Sequence, residues 1–147
     1  MPFFASQDRG TLRHAWREAW RRHCAGLALE PLETQIAAVA QMHPEYHAAL
    51  GGDTDSLDRD WSPEEGQGNP FLHMSLHLAV RDSIRTDRPR GIRAVFEQLL
   101  VTHPVTHDAE HVLLDCLGET LWEAQRAGLP PDDRAFLERS RRRAQGR

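Results

Sequence analysis

Apolar side chains recur at intervals of three and four along nearly the whole chain, the spacing that gathers them on one face of a helix. Between Asp8 and Cys24 they are Leu12, Ala15, Trp16, Ala19 and Trp20, while Arg13, Arg17, Arg21 and Arg22 take the other side. Gly26 ends that stretch. Pro31 suits the first turn of a second helix, which carries Ile36, Val39 and Ala40 to Met42. There His43 precedes Pro44, and the proline ring keeps the residue before it out of the helical region, so the chain must kink or restart. A short turn, PEYHAAL, reaches Leu50. Asn69 and Pro70 form an N-cap and first-turn pair for a helix that runs to about Arg85. Ile92, Val95, Phe96 and Leu99 mark another from Gly91 to Val101, and a second His-Pro step, His103-Pro104, breaks it. The longest helix covers about Val105 to Ala127 and stops at Gly128 and the prolines beyond. A last one, about Asp132 to Arg143, runs through Ala135, Phe136 and Leu137. No apolar alternation marks a strand.

These segments predict an all-α fold: one helical-bundle domain over residues 1–147, with about five to six helices and a four-helix core. Residues 51–69, rich in Gly, Asp and Ser, read as a long surface loop, and a loop of that length is often functional. Its Trp61 either plugs the bundle end or covers a site entrance. Trp16, Trp20 and Trp122 read as core or boundary aromatics. Residues 144–147 read as a flexible basic tail.

The polar residues that interrupt the apolar stripes are mainly histidines. In NPFLHMSLH, His73 and His77 share a stripe with Leu76, Val80 and Ile84, whereas Ser75, Arg81, Asp82 and Arg85 lie off it. On the longest helix His107, Glu110 and His111 share the stripe of Leu114, Leu117 and Leu121, and Asp115 stands at its edge. HPEYH adds His43 and His47, four apart across the Pro44 step. A single histidine on an apolar face is most often a hydrogen-bonded core residue. Three HxxxH pairs are harder to place that way, since six buried imidazoles would each need a partner. His14 and His23 lie on the first helix without a spaced partner and are not expected to ligate.

Composition narrows the remaining classes. A formal charge of −4 argues against a nucleic-acid binder. The basic run RSRRRAQGR from Arg139 onward suits the C-terminal end of a helix, where cations are favoured. The start, MPFFASQDRG, has neither a basic n-region nor a long apolar run, and no segment approaches a membrane span, so a cytoplasmic protein without membrane partners is expected. Cys24 and Cys116 match no paired-cysteine metal spacing and read as reduced, half-buried thiols.

Neutral imidazole is a ligand for zinc, iron, copper and nickel, and histidines four apart aim two nitrogens at one ion from a rigid helix. Helix bundles build such centres on facing helices. Six histidines exceed the need of one tetrahedral zinc, so the residue set predicts two ions, iron first and zinc or manganese as alternatives. Each ion would take about three imidazoles from His43, His47, His73, His77, His107 and His111, with Glu110 as bridge and Asp115 as ligand or supporting carboxylate. The ligand types are nearer to a hemerythrin-type site than to the ferritin-like pattern of two Glu-x-x-His motifs, which is absent.

The stretches HPEYH, NPFLHMSLHLAVR, DRPRGIR and AEHVLLDCLGETLWEAQR resemble a small bacterial family known only as a domain of unknown function. The resemblance runs from about Trp16 to Leu137. It implies an all-helical cytoplasmic protein and no established activity. Asp115 stands where the family leads one to expect glutamate, and His103 falls outside the shared motifs, so neither is a first-choice ligand. The expected function is therefore a His-rich metal-binding bundle with oxygen, peroxide or redox chemistry or sensing, acting on a small oxidant or another small molecule. The alternative is a non-enzymatic helical interaction module with a structural zinc or no metal. No nucleotide loop, serine elbow or cysteine-histidine nucleophile is visible, so the sequence names no substrate and leaves open whether the protein is an enzyme.

Overall fold

The computed structural model describes residues 9–51 and 69–146. Residues 52–68, which hold Trp61 and most of the expected loop, and Arg147 of the expected tail lie outside the described residues. Within them the chain is all-α, with no strand. Seven α-helices follow in order: α1 (Arg9–Cys24), α2 (Pro31–Gln41), α3 (His47–Gly51), α4 (Pro70–Thr86), α5 (Ile92–Thr102), α6 (Thr106–Ala127) and α7 (Asp133–Ala144). A single 3-10 turn, Pro44–Tyr46, joins α2 to α3. No helix among the described residues is long and apolar enough to cross a membrane.

Internal contacts divide the chain into two compact units, Met1–Leu78 and Ala79–Arg147, so that α4 contributes its first half to one and its second half to the other. In the first unit α1 packs on α2 and α3. Its core joins Trp16 and Ala19 of α1 to Ile36, Val39 and Ala40 of α2, Leu50, and Phe71, Met74 and Leu78 of α4. Trp16 is fully buried, and its indole N–H donates to Ser75 Oγ at 3.1 Å. Ser75, read from the sequence as lying off the stripe, is buried because it answers that donor, which a dry core would otherwise leave unsatisfied. Arg13, expected on the open side of α1, is also buried, with its guanidinium 5.2 Å from the centre of the Phe71 ring, where a cation meets the negative face of the aromatic.

In the second unit α5, α6 and α7 pack against one another. Val95 and Leu99 of α5, Leu113 and Leu117 of α6 and Phe136 of α7 are buried. Asp132 caps α7, its carboxylate accepting from the N–H groups of Arg134 and Ala135. Arg139 then reaches α6, donating to Thr120 Oγ1 at 2.9 Å and pairing with Glu123. Trp122 departs from its expected core or boundary role. It sits one residue past the Leu114, Leu117, Leu121 stripe, is 57% exposed, and stacks under the Arg126 guanidinium at 4.6 Å. Of the two thiols, Cys24 is exposed and Cys116 is buried, and burial pushes the Cys116 thiol above its ordinary value.

Candidate metal centre

The first unit gathers three imidazoles and a phenol. α2 ends as Pro44 requires: His43 takes φ −126° and ψ 66°, outside the helical region. The turn directs its ring back along α2, where Nδ1 lies 2.8 Å from the Val39 carbonyl oxygen. A carbonyl only accepts, so Nδ1 carries the proton and Nε2 keeps the lone pair. A ring nitrogen anchored on a backbone carbonyl in this way is the support that histidine ligands commonly have. His43 is fully buried.

α4 supplies the next two rings. Asn69 Oδ1 accepts from the N–H groups of Phe71 and Leu72 at 3.0 and 3.2 Å, and Pro70 occupies the first turn, as the sequence predicts. One turn in, His73 is half-buried; one turn further, His77 is fully buried. The His43 ring stands edge-on to both, 5.0 Å from the centre of each. His73 and His77 are 6.4 Å apart. Tyr46 stacks on His43 at 5.7 Å and meets His73 edge-on at the same distance. Burial, and then the nearby Glu45 carboxylate, raise the Tyr46 phenol, which therefore stays neutral.

His47 goes elsewhere. Its Nε2 donates to the Ala40 carbonyl oxygen at 2.8 Å, and its ring packs on Trp20 at 4.4 Å. Four residues separate it from His43, but the intervening segment begins with a non-helical residue and a 3-10 turn, so the two rings do not share a face. His23 stacks on the same Trp20 at 5.3 Å. His14 lines an open groove of about 620 Å³ with Arg17, Trp20, Arg21 and Cys24.

The second unit holds the other pair. His107 and His111, one turn apart on α6, have ring centres 4.2 Å apart. Between them in sequence, Glu110 is buried at 2% exposure, as its place on the stripe predicts. Its carboxylate accepts from Arg81 of α4, Oε2 from Nε at 2.8 Å and Oε1 from Nη2 at 3.4 Å. This forked pair is what makes a buried carboxylate tolerable. Sequence reasoning missed Arg81, because nothing in the sequence couples positions 29 residues apart. Asp115 faces solvent, and the half-buried His103 has its Nδ1 3.0 Å from Thr102 Oγ1.

Residues 8–142 match the model of a family described as a domain of unknown function (DUF1841). The chain belongs to this family. The match covers the first six helices, α7 as far as residue 142, and every histidine of the two groups, in keeping with the resemblance seen in the motifs. No curated protein and no solved structure matches the chain.

Proposed function

We propose that this family member binds divalent transition-metal ions through two histidine groups, His43, His73 and His77 in the first unit and His107 and His111 in the second. The observation that carries the reading is the first group, where the centre of the His43 ring stands 5.0 Å from those of both His73 and His77. The donors are imidazole nitrogens, which suit zinc, iron, copper and nickel. The Val39 carbonyl, by fixing the His43 tautomer, supplies the outer support such ligands need. Three protein ligands leave a fourth position open on a tetrahedral zinc. Iron accepts further ligands, and there the same set supports oxygen, peroxide or redox chemistry.

The pair on α6, with ring centres 4.2 Å apart, would hold a second ion. Elemental analysis of protein prepared without chelator or tag histidines tests both groups. About two equivalents of metal support both, and about one equivalent supports the first alone. Folded protein that neither retains nor takes up zinc, iron, copper or nickel overturns both.

A further inference from the structure

Glu110 poses a chemical question. It is a buried carboxylate placed three residues after one proposed ligand and directly before another, yet its oxygens are engaged by Arg81 at 2.8 and 3.4 Å. A carboxylate that joined the metal would change what the site prefers. Hard ions such as manganese and magnesium seek oxygen donors, whereas imidazole suits zinc, copper, iron and nickel. Arginine is the side chain fitted to prevent this, because its planar fork occupies both carboxylate oxygens and it never loses its charge.

We infer that Arg81 is the residue that sets the metal preference: by clamping Glu110 it keeps oxygen out of the ligand set, so the site takes a nitrogen-preferring divalent ion and rejects manganese. This rests on the metal site proposed above. Arg81 is a positioning residue. It acts through Glu110, and its replacement frees the carboxylate to coordinate. The pair is placed for that role, since Glu110 is 3% exposed at its side chain while Arg81 reaches it from a position 32% exposed. A guanidinium at that depth neutralises the carboxylate without entering the core itself.

The test compares the full chain with Arg81→Met, Glu110→Gln and the double variant, each loaded with zinc, manganese or cobalt(II). Wild type and Glu110→Gln should show the same cobalt visible band positions, because the carboxylate is not a ligand in either. Arg81→Met should shift those bands and raise manganese affinity relative to zinc by about tenfold, the scale on which outer groups tune a metal site. The double variant should return both readings to those of wild type. Unchanged bands and an unchanged manganese-to-zinc ratio in folded Arg81→Met overturn the role of Arg81. So does a band shift in Glu110→Gln alone, which shows that the carboxylate was a ligand from the start; that arm decides even if Arg81→Met fails to fold. Wild-type protein that binds neither zinc nor cobalt defeats the metal site itself, a result distinct from either of these.

Discussion

Two helices of equal length end in the same dipeptide and have different fates. α2 and α5 each span 11 residues and each run into a His-Pro step. The backbone responds identically: His43 has φ −126° and ψ 66°, His103 φ −127° and ψ 77°. Proline dictates that conformation in both places. The side chains then diverge. His43 is fully buried, with Nδ1 on the Val39 carbonyl and rings of Tyr46, His73 and His77 around it. His103 is half-buried beside Thr102 Oγ1. Local sequence decides where a helix stops, and the surroundings of the stop decide whether its histidine can do chemistry.

The largest effect should come from exchanging the two histidines for alanine. His43→Ala should lower metal affinity by more than about 100-fold, beyond the usual range for losing an outer group, and cost about 2–5 kcal/mol of stability in chelator, as for other large buried side chains. His103→Ala should leave metal uptake at the wild-type level. Titration with zinc and urea unfolding would measure both, and equal losses in the two variants would erase the distinction.

Next in size is the start of α5. α2 begins with Pro31 and with Glu33 Oε1 accepting the Glu30 N–H at 2.9 Å. α5 begins with Gly91 at φ 105°, where a Cβ would stand 3.2 Å from Arg141 Nη2. Gly91→Ala should therefore cost about 1–3 kcal/mol, mostly as backbone strain. The metal site should be untouched. A neutral result in thermal melts would mean that the turn relaxes freely.

Replacing each proline by alanine isolates the shared backbone. Pro44→Ala and Pro104→Ala should each cost about 0.4–1 kcal/mol, chiefly by loosening the unfolded chain. Only Pro44→Ala should also weaken metal binding, because His43 and Tyr46 depend on that turn. Matching metal affinities in the two variants would show that the step itself does not position His43.

The smallest effect is electrostatic. The backbone N–H of Arg93, and then that of Gly91, hold the exposed Asp87 carboxyl below its ordinary value. Because the folded value is depressed, this support for α5 is present above the unfolded carboxyl range and is lost as pH falls through the folded value. Asp87→Asn should melt slightly earlier than wild type at pH 7, and the gap should close in acid. A gap that persists unchanged at low pH would assign the effect to shape and not charge.

Much of the molecule was legible from spacing. The helix starts at Asn69-Pro70 and Asp132, the breaks at both His-Pro steps, and the burial of His77 and Glu110 all follow from rules that act within a few residues. HPEYH shows where such rules fail. Its four-residue spacing looks like the other two pairs, but the segment is not one helix, so His47 turns to Trp20 while His43 joins His73 and His77. Arg81 and Ser75 were illegible for another cause. Both sit off the apolar stripe of α4, and their significance lies in partners 29 and 59 residues away. Periodicity reports which side of a helix prefers water, and it carries no information about which distant polar group answers a buried one.

The contrast between the two cysteines provides a built-in clock for watching this protein open. An alkylating reagent meets Cys24 at once, whereas Cys116 on α6 is shielded and held in its unreactive thiol form. The second modification can proceed only during excursions that expose α6, the helix that carries His107 and His111. Its rate, followed with and without added zinc, therefore counts how often that helix is released and how firmly a bound ion keeps it closed.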